Sequence, residues 1–177
     1  MKRLVYISCI LIMAVFIGGV HADKAEDLFK KGNELLKSND YAGALEAYEQ
    51  SIKLNSSDGR VLISKAMILS QNNRFDEAMD AINQTMLLDS NDAQAWNNIA
   101  FTLTNMGYRI KAMDALNKSI QMDPEYLPAW RSKGYLYIKL GNKQGALDAF
   151  NKALELNPQD KSTKGIIEEI RNNTKLS

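Results

Sequence analysis

The stretch Ala129–Pro158, AWRSKGYLYIKLGNKQGALDAFNKALELNP, holds one complete copy of a pattern that runs through most of this chain. Its Ala146 has counterparts at Ala112, Ala78 and Ala44, each 34 residues from the next. Three further registers keep the same step: Gly134, Ala100, Ala66 and Gly32; Tyr137, Leu103, Leu69 and Leu35; Phe150, Leu116, Ile82 and Tyr48. A fixed period of this length marks stacked copies of one small unit, none of which can bury its apolar side alone. Four registers sharing one spacing leave little room for coincidence.

Each period contains two stretches in which apolar residues recur at helical spacing. In the third, Trp96, Ile99, Ala100 and Leu103 mark one helix face, and Ala112, Ala115, Leu116, Ser119 and Ile120 mark a second. Between the two fall Asn39, Asn73, Gly107 and Gly141, again in step. Asn and Gly accept a left-handed backbone cheaply and suit the residue that ends a helix. The second helices are predicted to end near Ser56-Ser57-Asp58, Ser90-Asn91-Asp92, Asp123-Pro124 and Asn157-Pro158, turn residues of which some can cap the following helix. Two helices joined so tightly pack antiparallel, and a Gly or Ala at the crossing lets their backbones approach. The periods run 25–58, 59–92, 93–126 and 127–160. Residues 161–172 read as one more helix, with Ile166, Ile167 and Ile170 inward and Glu168, Glu169 and Arg171 outward, which is what a capping unit needs.

These residues resemble the tetratricopeptide repeat, whose pattern is W-x2-L-G-x2-Y, then A-x3-F, then P. The fourth period supplies Trp130, Gly134, Tyr137, Ala146, Phe150 and Pro158, with Lys133 in the Leu place. The third keeps Trp96, Ala100, Ala112 and Pro124; the first two put Leu28 and Leu62 for Trp and Ser56 and Ser90 for Pro. The resemblance covers residues 25 to about 172. It implies an all-α fold, a right-handed α-α superhelix (solenoid) of four helical hairpins plus a C-terminal capping helix. It also implies that the first helix of each hairpin lines a concave groove for a protein or peptide ligand.

Carried over by register, that lining comprises Phe29, Asn33, Ile63 and Met67 from the first two repeats. The third adds Gln94, Asn97, Asn98, Phe101, Thr104 and Asn105, and the fourth Arg131, Ser132, Tyr135 and Lys139. Asn33, Met67, Phe101 and Tyr135 share one register, a contact strip for an extended or helical segment whose backbone Asn97, Asn98 and Asn105 would bond. The alternative is that Met67, Phe101 and Tyr135 merely pack on adjacent helices. Family members that grip a C-terminal carboxylate use a basic, Asn-rich clamp. Here only Asn33 and Asn98 match it, while Phe29, Gln94 and Pro128 stand where Lys or an equivalent is wanted, so that ligand is not expected.

The N-terminus reads differently. Met1-Lys2-Arg3 is followed by an uncharged apolar run, Leu4–Val20, and by small residues before Asp23, the layout of a secretory signal peptide over residues 1–22. Seventeen residues in a helix reach roughly 25 Å, short of the roughly 30 Å hydrocarbon core, which favours cleavage over a retained anchor. The chain is accordingly expected to be exported (secreted, periplasmic or at the cell surface), with an uncleaved anchor at residues 4–20 as the alternative. Cleavage removes Cys9 and His21, the only cysteine and histidine, and leaves 20 basic against 21 acidic residues. Such a chain has no thiolate nucleophile, no imidazole base and no Cys/His zinc site. Its balanced charge does not suit a nucleic-acid binder.

No enzyme and no cofactor or metal site is expected, since four hairpins consume the chain. A carboxylate-pair hydrolase is the enzymatic rival. End-to-end self-association as an envelope component and a glycan or small-molecule groove are the non-enzymatic ones. Asn55, Asn83, Asn117 and Asn172 head N-x-S/T tripeptides, of which Asn83 and Asn117 fall inside predicted helices.

Overall fold

The computed structural model describes residues 21–88 and 92–173. The leader read from residues 1–22 lies outside them except for His21 and Ala22, which are helical and exposed. Every secondary-structure element among the described residues is a helix. Residues 21–37 are helical (α1), followed by α2 (Tyr41–Leu54), α3 (Gly59–Gln71), α4 (Phe75–Leu87), α5 (Ala93–Asn105), α6 (Arg109–Met122), α7 (Leu127–Lys139), α8 (Lys143–Leu156) and α9 (Lys161–Asn173). The first helices begin at Gly59, Ala93 and Leu127 and the second at Tyr41, Phe75, Arg109 and Lys143, so the sequence period is also the spacing of the elements.

The turn inside each pair is set by one left-handed residue. Asn39, Asn73, Gly107 and Gly141 have φ of 62°, 58°, 83° and 72°, at the four positions where the sequence places Asn or Gly for this purpose. The hydrogen bonds across these turns are also alike: the N–H groups of Asp40, Tyr108 and Asn142 donate to the carbonyls of Leu35, Leu103 and Tyr137, each at 2.9 Å. Helix starts are capped by carboxylates and amides. Asp40 accepts from the Gly43 N–H (2.9 Å), Asp92 from Gln94 (2.9 Å), Asn142 from Gly145 (2.8 Å) and Asp160 from Thr163 (3.2 Å). Each cap satisfies a donor that the helix itself cannot.

The helix crossings obey a rule of matched size. Ala44, Ala78, Ala112 and Ala146 are completely buried, as are Tyr48, Ile82, Leu116 and Phe150 to within 1%. The opposing position holds Gly32, Ala66, Ala100 and Gly134. Where the large partner is aromatic the small one is Gly; where it is aliphatic the small one is Ala. The reason is steric. A Cβ on Gly134 would stand 2.7 Å from two carbons of the Phe150 ring, and one on Gly32 would overlap the Tyr48 ring. Buried hydroxyls add a second tie between the helices of a pair. Ser51 Oγ donates to the Ala25 carbonyl (2.7 Å) and Ser119 Oγ to the Ala93 carbonyl (2.6 Å), 26 residues apart in both cases. In the same register Thr85 turns back to its own helix at Ala81 (2.9 Å).

By contacts the described chain divides into two bodies, residues 21–69 with 77–88 and residues 70–76 with 92–173. In the first, Ala44, Tyr48, Val61 and Ile68 form a core edged by Phe29, Leu35, Leu36, Leu45 and Ile52. In the second, α5 packs on α6, α7 on α8, α7 also on α5 and α6, and α9 on α8. Ile167 closes the end of this body on Ala146 and Phe150, with Ile166 and Ile170 at its margin, while Glu168, Glu169 and Arg171 stay exposed. Lys133, in place of a consensus Leu, keeps its stem half-buried and reaches Asn117 of α6 with its ammonium (2.8 Å). Burial lowers its pKa.

Candidate functional site

Helices α5 and α7 of the second body lie side by side and present a cleft of about 230 Å³. Phe101, Thr104 and Asn105 line it from α5, Ser132, Tyr135 and Lys139 from α7, and Ala100, Leu116 and Leu136 form its floor. Helical spacing brings these groups together: Phe101, Thr104 and Asn105 are three and four residues apart on one side of α5, and Ser132, Tyr135 and Lys139 repeat that on α7. Phe101 and Tyr135 are 47% and 41% exposed, so both present apolar ring surface to the solvent at the cleft. Tyr135 is held edge-on against Phe150, ring centroids 5.2 Å apart at 83°, so its ring is fixed while its outer part stays free. Chemically the site offers two aromatic surfaces, three short polar groups and one cation. No group of three or more His, Cys, Asp or Glu side chains capable of holding a metal ion occurs among the described residues.

All six of the rim residues belong to the set read from the sequence. Leu136, which that reading missed, follows Tyr135 directly and points to the floor, a placement that register alone does not reveal.

Family models described as tetratricopeptide repeat match residues 35–100, 93–126 and 128–160, together well over half of the sequence. The chain is a tetratricopeptide repeat protein. Among solved structures, that of Pseudomonas aeruginosa pilF is similar with a TM-score of 0.78 at 16% identity, covering 88% of this chain and 71% of that one. MamA from Desulfovibrio magneticus is similar with a TM-score of 0.65 at 20% identity, covering 77% of each chain. A tetratricopeptide repeat protein from Parabacteroides merdae follows at 0.66 and 23%, covering 85% of this chain and 61% of that one. At such identities these likenesses concern the fold. No protein of curated function matches the sequence significantly.

The other register positions of this repeat protein fare differently. In the second body, Asn97 is half-buried and its Oδ1 is secluded without a hydrogen-bond partner. Asn98 is half-buried, and Gln94 is exposed at the start of α5. Arg131 is occupied by an ion pair with Asp160 at 3.5 Å, which ties α7 to the cap of α9. In the first body, Ile63 is only 3% exposed and belongs to the buried stripe Val61-Leu62-Ile63, so its side chain offers no surface to a ligand, contrary to the sequence reading. Three apolar residues in a row on one helix exceed what a single face can show, and tertiary packing takes all three. Asn33 accepts the Tyr48 hydroxyl (2.7 Å), a bond inside the hairpin. Phe29 leans on Tyr48 (5.9 Å, 40°) beneath the Arg60 guanidinium (5.0 Å). Met67 is half-buried.

Proposed function

We propose that this chain is an exported, non-catalytic scaffold that holds a peptide segment of another protein on the α5–α7 face. The supporting observation is the cleft itself: two half-exposed aromatics one repeat apart, over an apolar floor, edged by Asn105, Thr104, Ser132 and Lys139. Fixed aromatics of this kind supply most of the energy in protein recognition, with polar neighbours orienting the backbone. The ligand class is an extended or helical segment placing one bulky apolar side chain between Phe101 and Tyr135, with an acidic or carbonyl group toward Lys139. Export rests on the leader pattern of residues 1–22.

The test is a peptide-display selection on the purified chain, followed by fluorescence-polarisation titration of the selected peptides. Phe101→Ala and Tyr135→Ala should each weaken binding by about 10- to 30-fold, the loss of an anchor worth about 1.5–2 kcal/mol, in variants whose circular dichroism shows the helical fold intact at the assay temperature. Peptides that bind the double variant as tightly as the native chain would remove this face from consideration. N-terminal sequencing of the chain recovered from outside an expressing cell checks the export reading, with Asp23 as the expected first residue.

A further inference from the structure

The hairpin turns of the third and fourth repeats carry a second surface that shares only Lys139 with the peptide cleft. Gly107, Tyr108, Arg109, Ile110, Lys111 and Leu140 border one shallow, open recess, formed where the α5–α6 and α7–α8 turns meet. Its apolar members are unusually free: Ile110 is 82% exposed, Leu140 47% and Tyr108 43%, with Ile138, two residues before Leu140 on α7, at 44%. Tyr108 and Ile110 open α6, where the other repeats carry Asp40 and Ala42, Arg74 and Asp76, and Asn142 and Gln144, so the repeat does not require bulky apolar side chains there.

The charge of the same edge is of one sign. Arg109 and Lys111 flank Ile110, Lys139 and Lys143 flank Leu140, and all four are exposed. No acidic residue occurs between Asp92 and Asp114 or between Glu125 and Asp148. The second-repeat turn is the contrast: there Arg74 is followed by Asp76, Glu77 and Asp80. Lys111 stands over the Tyr108 ring (5.5 Å), so the ring and the cation present themselves together.

We propose that this edge docks the protein on an anionic lipid bilayer, with Ile110, Leu140 and Tyr108 entering the interface while Arg109, Lys111, Lys139 and Lys143 meet the headgroups. The shape selects a bilayer over an acidic protein. Protruding single side chains around an open recess insert into a soft surface, whereas a protein partner needs a complementary wall to seal them. Tyrosine suits the headgroup depth, and cations beside apolar side chains are the composition of interfacial binders. Four cations give weak, reversible attachment that falls with salt.

The experiment uses the full chain with Cys9→Ser and Ile110→Cys, labelled at residue 110 with an environment-sensitive fluorophore. Ile110 is on the surface, so the label leaves the core untouched. Vesicles of phosphatidylglycerol and phosphatidylcholine in equal parts should shift the emission to the blue and allow quenching by lipid-borne spin labels. Pure phosphatidylcholine should do neither, even where residues 4–20 hold the chain on the vesicle. Arg109→Gln and Lys111→Gln should each weaken the response about fivefold, the equivalent of one cation at such a surface. A label at exposed Gln159, beyond the opposite end of α8, should report water throughout. No shift on anionic vesicles, an equal shift on neutral ones, an equal shift at position 159, or a shift with polyglutamate but not with vesicles would each overturn the proposal. Because the readout is local to residue 110, Phe101→Ala leaves it unchanged, and failure here leaves the peptide cleft standing.

Discussion

Exchanging the sizes of one crossing pair, Gly134 and Phe150, probes the packing rule more closely than deleting either side chain. A methyl added at Gly134 would lie 2.7, 2.7 and 2.8 Å from three ring carbons of Phe150, where carbon atoms prefer roughly 3.5–4.0 Å. The ring is fully buried, packed with Ala146 and Ile167 and in edge-on contact with Tyr135, so it cannot swing away. Overpacking of this kind costs about 1–3 kcal/mol, offset in part by the roughly 0.5–1 kcal/mol that Ala gains over Gly inside a helix. Phe150→Leu alone removes three ring carbons and costs about 2 kcal/mol at roughly 0.8 kcal/mol per carbon. The double variant recreates the Ala100–Leu116 pair of the preceding repeat, both of which border the α5–α7 cleft. The added methyl then fills the space vacated by the ring. Urea unfolding followed by circular dichroism at 222 nm should give a favourable coupling of about 1–2 kcal/mol, or about 2–8 °C in Tm. Costs that simply add, within about 0.5 kcal/mol, would refute the steric argument.

Other consequences follow from the same structure. Gly107 and Gly141 have positive φ with nothing within 4 Å of a Cβ, so the cost of replacement is purely conformational. Gly141→Val should lose about 1–2 kcal/mol, while Gly141→Asn, which copies Asn39 and Asn73, should lose a fraction of that in the same unfolding assay. Ser119→Ala removes the cross-helix hydrogen bond to the Ala93 carbonyl and should cost about 0.5–1.5 kcal/mol, as should Ser51→Ala at Ala25. Acid should destabilise the chain through Asp58 and Asp160. Burial pushes the Asp58 carboxyl up, but hydrogen bonds and charge from Arg60 outweigh it and leave the pKa below its ordinary 3.8; the Thr163 hydroxyl and N–H lower that of Asp160. Groups with a depressed folded-state pKa stabilise above the unfolded value and lose that contribution as pH falls through the folded one. The stability of the native chain should therefore drop as pH falls below 3.8, and the Asp58→Asn/Asp160→Asn variant should show a flatter profile there.

The fold was legible because its determinants are local and repeated. Ala146 and its three counterparts, the left-handed Asn39, Asn73, Gly107 and Gly141, and the caps each announce themselves by residue type at a fixed interval. What the registers concealed were contacts in which one repeat departs from the others. Ser51 and Ser119 look like ordinary small residues until the carbonyls of Ala25 and Ala93 are seen above them, and Thr85 in the same register bonds elsewhere. Ile63 occupies a surface register but is drawn inside with Val61 and Leu62. Asn33 shares the contact-strip register of Phe101 and Tyr135, but its oxygen accepts the Tyr48 hydroxyl inside the hairpin. The cleft residues were legible on α5 and α7 because both helices keep the period intact there.

The central claim is that a small residue seated directly on a large buried one sets each hairpin. Proton–carbon NMR of the Gly32 and Gly134 α-protons tests it without mutation. Seated on the Tyr48 and Phe150 rings, these protons should be shifted strongly upfield and show nuclear Overhauser contacts to ring protons, with no comparable shift at Ala66 or Ala100 over their aliphatic partners. Glycine α-protons at ordinary positions, without contacts to either ring, would contradict the account.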